Sequence, residues 1–173
     1  IEKGMRFWVT EHLDLAKRYL EDRYDNQPDA RYGLMASSKD KVLVNHGVMN
    51  DFQSTKRVKL GPWYSNPRGE EHSCCNLEEV VTEFGSQGLE VDMALLAWGT
   101  DFIRKEGRWN NELARGYKRG VVVKDPFNLR KNAYRVLLTR GRDGVVVFVP
   151  PLPEMRETWR YLTACGFRRL EPR

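Results

Sequence analysis

A chain of 173 residues can build one sizeable core, since domains of this size bury roughly 70% of the surface their unfolded chain exposes. Hydrophobic residues make up 40% and charged residues 31%, an ordinary globular balance, and no apolar run approaches the roughly 18 residues of a membrane span. The expectation is therefore no membrane partner. The formal charge of +5 favours a polyanionic partner such as nucleic acid without establishing one, because modest net charge speaks mostly to solubility.

Three cysteines, with Cys74 and Cys75 adjacent, give no disulfide framework and no CxxC pair. Together with the lack of a signal-peptide pattern, this predicts a cytoplasmic protein. The first residue is Ile1 rather than Met, so the expectation is a piece of something longer. One domain over 1–173 is predicted, with 1–30 as an N-terminal helical extension.

In chain order, Val9, Leu13, Ala16 and Leu20 recur at helical spacing, with Trp8, Leu15 and Tyr19 widening the face, which predicts a helix over 8–23. Asn26 to Asp29 break it. The run YGLMA at 32–36 has strand length, and Ser37 and Ser38 after it either cap a helix or line a ligand site. Residues 45–76 read as a long basic loop, with Lys56, Arg57, Lys59 and Arg68 among Trp63 and Tyr64. Cations meet phosphates while rings stack on bases, so this composition suits single-stranded nucleic acid. The alternative is that the two aromatics pin the loop to the core. His72 and Cys75 form an HxxC pair with no partner pair at finger spacing, so no metal site is expected.

The apolar residues 80–82 lead into a turn marked by Gly85 and Gly88, and 93–98, MALLAW, reads as a strand buried on both faces, as in a parallel sheet. Gly99, Thr100 and Asp101 then fall at its carboxyl end, the edge where open α/β sheets bind ligands, although a loop-capping aspartate fits equally. Residues 102–120 read as an excursion or hairpin. Asp125 and Pro126 start a helix running to about Thr139 on Leu129, Ala133, Val136 and Leu137. Asp143 and Gly144 read as a turn before the strand at 145–149, and Met155, Trp159 and Leu162 define a last helix closed by Gly166. Alternating strands and helices predict an α/β fold with a mostly parallel sheet.

Two stretches carry chemistry. Glu90 can accept hydrogen bonds from a ribose hydroxyl, and Gln87 offers both a donor and an acceptor. Arg140 and Arg142 close the helix before the apolar strand; a guanidinium forks onto phosphate oxygens, although cations at a helix end are also favoured by the macrodipole. Ser86, Gln87, Gly88, Leu89, Glu90 and Asp92 resemble motif V of superfamily 1 helicases, and Val136, Leu138, Thr139, Arg140 and Arg142 resemble motif VI. More closely, TEFGSQGLEVD, LLAWGTDF and NAYRVLLTRGRDGVVVFVP are similar to the C-terminal part of the Schlafen group 3-like DNA/RNA helicase domain, over 31–165.

This resemblance implies a three-layer, RecA-like C-terminal lobe of an ATP-dependent helicase. It implies that Arg140 contacts the γ-phosphate and that Gln87, Gly88, Glu90 and Arg142 line the nucleotide. The candidate nucleic-acid surface is Thr82 with Lys56, Arg57, Trp63 and Arg68. Two positions depart from the pattern: Phe84 stands where a histidine is frequent, and Gly141 where an alanine is usual, which is expected to loosen the helix end that aims Arg140. The phosphate loop GxxxxGK[ST] does not occur, nor does any Gly-Lys dipeptide. ATP and Mg2+ are therefore expected between this chain and an N-terminal P-loop domain outside it, with neither bound by the chain alone and no turnover from it. The alternative is a nucleic-acid-binding or interaction module with vestigial motor motifs. A nuclease built on Glu83, Glu90, Asp92 and Asp101 is disfavoured, because no ExK spacing accompanies them.

Overall fold

A computed structural model describes residues 4–172. Strand β1 (Arg6–Thr10) is followed by helix α1 (Leu13–Arg23), then β2 (Tyr32–Ala36) and two short helices, α2 (Phe52–Thr55) and α3 (Leu60–Ser65). After β3 (Val80–Val81) a turn segment leads to β4 (Val91–Ala97), the antiparallel hairpin β5 (Ile103–Lys105) and β6 (Arg108–Asn110), and helix α4 (Pro126–Leu138). Strand β7 (Gly141–Phe148), helix α5 (Arg156–Ala164) and β8 (Arg168–Arg169) complete the order.

All six strands of the main sheet are parallel, in the order β3-β2-β4-β7-β1-β8. Right-handed crossovers between parallel strands put the connections that step toward β3 (α1, α2 and α3) on one face. Those that step the other way, the 82–90 segment, α4 and α5, lie on the opposite face. The result is a three-layer α/β fold with its core in and around the sheet, where Met35, Leu95, Val146 and Val147 are fully buried. Central strands covered on both faces read as continuous apolar runs rather than alternations, which is why VDMALLA and VVVF carry so few polar residues.

The N-terminal segment departs from the sequence expectation. Residues 6–10, including Trp8 and Val9, form a strand between β7 and β8, and the helix begins only at Leu13. The described part of 1–30 is thus not a helical extension: β1 is an inner strand of the sheet. A five-residue strand followed after two residues by a helix mimics one longer helical stripe, because Val9 and Leu13 share the spacing of both.

The Asp143-Gly144 turn is also replaced. β7 runs through both residues, with a register shift against β4 between Val91 and Met93. Gly144 has φ +136°, and a Cβ there would stand 1.9 Å from the Arg6 carbonyl oxygen. Close approach of β1, rather than a reversal of the chain, requires that glycine. Helix α4 matches its expectation, with the Asp125 side chain accepting from the Asn128 amide at 2.9 Å. Gly166, at φ +98°, follows α5 in the left-handed conformation of a C-terminal cap.

The predicted long basic loop contains α2 and α3 and folds onto the sheet. Trp63 is wholly buried and lies over Gly33 of β2. Arg31 ties α3 down by donating to the Tyr64 and Ser65 carbonyls at 3.0 and 3.4 Å. The excursion after β4 is pinned by stacking of Trp109 on Trp98 and Phe102, at centroid separations of 5.6 and 4.7 Å.

Candidate functional site

The amino ends of β4 and β7 bring the two motif-like stretches together. The Val91 amide donates to the Arg140 carbonyl at 2.9 Å, so Glu90 and Arg140 sit immediately before neighbouring strands at one edge of the sheet. Glu90, Gln87, Gly88 and Arg142 are exposed there, Gly88 with φ +79°. Arg142 donates to Asp92 at 2.9 Å. The opposite carboxylate oxygen of Asp92 accepts the Arg31 amide at 2.7 Å, so this ion pair is anchored to the start of β2.

Arg140 faces inward. Its Nε donates to the Val136 carbonyl at 3.0 Å, one terminal nitrogen donates to the Ser86 and Leu89 carbonyls, both at 3.3 Å, and the other donates to Thr139 Oγ1 at 3.4 Å. In this conformation its guanidinium staples the 82–90 segment to the end of α4. Gly141, expected from sequence to loosen this end, sits where close packing leaves no room for a side chain. A Cβ at Gly141 would meet the Gly144 carbonyl oxygen at 1.9 Å and the Ala94 amide nitrogen at 2.9 Å. The missing side chain is what lets the distorted start of β7 close against β4.

The carboxyl ends of β2, β3 and β4 carry a buried polar network that the sequence reading did not assemble. Glu83 accepts from the Ser38 amide at 2.9 Å, from Ser38 Oγ at 2.8 Å and from Arg130 at 2.8 Å. Arg130 also donates to Ser37 Oγ at 2.5 Å and reaches Asp101 at 3.4 Å, while Ser37 Oγ donates to the same Asp101 oxygen. Tyr134 donates to the other Asp101 oxygen at 2.5 Å and accepts the Gly99 amide at 3.0 Å. Ser37 and Ser38 therefore cap no helix.

Burial lifts the Asp101 carboxyl above its ordinary value, against the lowering effect of the Ser37 and Tyr134 hydroxyls. Burial by itself would lower Arg130, but the neighbouring Glu83 and Asp101 carboxylates outweigh it and the net direction is up. The available signal for this network was register: Arg130 falls on the same α4 stripe as the buried Ala133, Tyr134 and Leu137. A cation on a buried helical stripe needs a partner.

Beside the network, at the same edge, lies a groove of about 590 Å³. Phe52 and Phe84 line it and are 71% and 66% exposed, an unusual exposure for two rings facing one depression. Tyr117, Lys39, Lys56, Arg115 and Lys118 complete the aromatic and cationic lining. Lys39 holds one wall, donating to the Gly116 carbonyl at 3.2 Å with its ammonium 4.1 Å from the Tyr117 ring centroid. Burial lowers its pKa, with the Arg130 charge adding to the effect.

Of the residues named from sequence for nucleic acid, Thr82 and Lys56 line this groove, with Thr82 largely buried at its base. Arg57 is exposed outside the lining, Arg68 pairs with Asp25 at 3.7 Å, and buried Trp63 has no face to offer a base. The groove is built instead from Phe52, Phe84 and Tyr117. His72 does not join Cys75 in a metal pair: its Nδ1 lies 2.9 Å from Glu79, and the Cys75 thiol, buried, points to the Ala30 carbonyl.

An open parallel sheet with polar side chains gathered at both strand-end edges, and one crossover segment running between those edges, defines a three-layer α/β domain. The chain belongs to the Schlafen group 3, DNA/RNA helicase domain family, whose model matches residues 1–151. No curated protein matches it. Among the described residues no helix is long and apolar enough to cross a membrane.

Proposed function

We propose that this chain is the C-terminal, RecA-like lobe of an ATP-driven DNA or RNA helicase. In this reading it supplies one wall of an ATP site shared with a P-loop domain and a groove for a single strand. The observation that carries the reading is the course of the 82–90 segment. It leaves β3 in the aromatic groove at Thr82 and Phe84, and it ends beside Arg140 at the edge where Glu90 and Arg142 are exposed.

The residues at that edge suit part of a nucleotide and not all of it. Glu90 offers a carboxylate for ribose hydroxyls, and Arg142 a cation for phosphate oxygens. Mg2+ and the phosphate cradle are left to the P-loop domain, in keeping with the missing Gly-Lys pair. Bound ATP would supply the driving free energy. Arg140 is the candidate γ-phosphate contact, a role that requires its guanidinium to leave the Ser86 and Leu89 carbonyls.

The test is ATP turnover by the 173-residue chain and by the protein that includes a P-loop domain. Turnover is expected only from the latter, stimulated by single strands. Turnover by the isolated chain that Arg140→Ala abolishes would overturn the shared-site reading. The second reading, a binding module with vestigial motor motifs, draws on the groove. It predicts oligonucleotide binding with a steep inverse salt dependence and no turnover from either protein.

A further inference from the structure

The 82–90 segment is gripped at both ends by one helix. At its start, Glu83 accepts from Arg130 of α4 at 2.8 Å; near its end, Ser86 and Leu89 accept from Arg140, just past the same helix, at 3.3 Å each. About 15 Å of helical rise, at 1.5 Å per residue, separates the two arginines. Glu83 lies between Thr82 and Phe84, both of which line the groove. Glu83 is 4% exposed, and its carboxylate is engaged by three donors from Ser38 and Arg130, so the backbone that aims those neighbours has little freedom. Phe84, by contrast, stands 66% exposed.

We infer that Arg130, acting through Glu83, is a positioning residue for strand binding, holding Thr82 and Phe84 in place along the groove. This rests on the groove being the strand site. Chemically, a charge-assisted bond inside a buried network keeps a surface ring in its binding-competent arrangement. If the competent fraction falls, the apparent affinity falls by the same factor. Arg130 touches no ligand. Its influence runs through the Glu83 carboxylate and is distinct from its contribution to stability, which also runs through Ser37 and Asp101.

The network contains its own control. Glu83→Gln removes the charge that Arg130 meets next to the groove, whereas Tyr134→Phe removes hydrogen bonds to Asp101 and Gly99 in the same network, away from Phe84. Binding of fluorescein-labelled oligothymidylate and oligouridylate to the chain is followed by anisotropy at low salt, beside the melting temperature of each variant. Glu83→Gln is expected to weaken binding about tenfold, and Tyr134→Phe by less than about threefold at a comparable loss of melting temperature.

Equal effects of the two variants, or none from Glu83→Gln, would overturn the inference while leaving the groove reading intact. A wild-type chain that binds neither oligonucleotide removes the groove reading and the inference with it. If Glu83→Gln does not fold, Arg130→Lys, which keeps the charge but loses the forked donation to Ser37 and Glu83, takes its place. An affinity loss of about threefold supports the positioning role, and an unchanged affinity overturns it.

Discussion

Trp63 packs directly against Gly33: a Cβ on that glycine would stand 2.5 Å from Trp63 Cζ2 and 2.6 Å from Cη2. The indole is wholly buried, its Nε1 donating to the Glu79 carbonyl at 3.4 Å. Trp63→Ala is therefore expected to destabilise the fold by about 3 to 5 kcal/mol, lowering the melting temperature on the order of 10 °C. Thermal unfolding followed by circular dichroism checks this. Among variants measured well below their melting temperatures, oligonucleotide affinity should be insensitive to position 63.

Gly141→Ala restores the residue usual in the related motif and should nevertheless harm this chain. The new methyl would overlap the Gly144 carbonyl at 1.9 Å, within β7 itself, and crowd the Ala94 amide of β4 at 2.9 Å, so its relief requires reshaping the start of β7. Overpacking of this kind costs about 1 to 3 kcal/mol. Urea unfolding should show a lower midpoint with an unchanged slope, and an equally stable variant would show that the start of β7 relaxes freely.

The groove predicts a division among the basic and aromatic residues. Phe84→Ala and Phe52→Ala should each weaken single-strand binding by about 1 to 3 kcal/mol if bases stack on them. Lys56→Ala should lower the salt dependence of binding, removing roughly 0.7 from the slope of log K against log salt. Arg68→Ala, whose cation is paired with Asp25 outside the groove, should change neither. Titrations at several salt concentrations separate these outcomes.

Arg140 has two separable roles to test. In the protein that includes a P-loop domain, Arg140→Ala is expected to slow ATP hydrolysis by about 10³-fold or more, and Arg140→Lys should not restore it because the planar fork is lost. Independently, loss of its bonds to Ser86 and Leu89 should speed amide exchange across 86–91 in the isolated chain. Faster exchange with an unchanged rate of hydrolysis would leave Arg140 as a staple alone.

Much of the layout was legible from residue order. YGLMA, MALLAW and the valine run before Pro150 are too short and too uniformly apolar for anything but central parallel strands, and β2, β4 and β7 are where those runs fall. Asp125 with Pro126 marks the start of α4, because an N-cap acceptor and a proline act within one turn. The family, too, was legible, since its stretches are contiguous. β1 was misread because its apolar residues keep the spacing of the helix that follows. β8 was not foreseen: two arginines are enrolled in the sheet only through their pairing with Trp8 and Val9.

Local patterns thus determined the central strands β2, β4 and β7 and the helices α4 and α5, that the sheet is parallel, and which contiguous stretches carry the family resemblance. They act over a turn or a strand, and the sequence displays them directly. Only the tertiary structure decided that Trp63 belongs to the core rather than to a ligand, that Phe52, Phe84 and Tyr117 face one groove, and that Arg130 meets Glu83 and Asp101. Each of those depends on contacts between residues far apart in the chain. Their partners are selected by how the crossovers lay α3 and α4 against the sheet, and no local spacing encodes that.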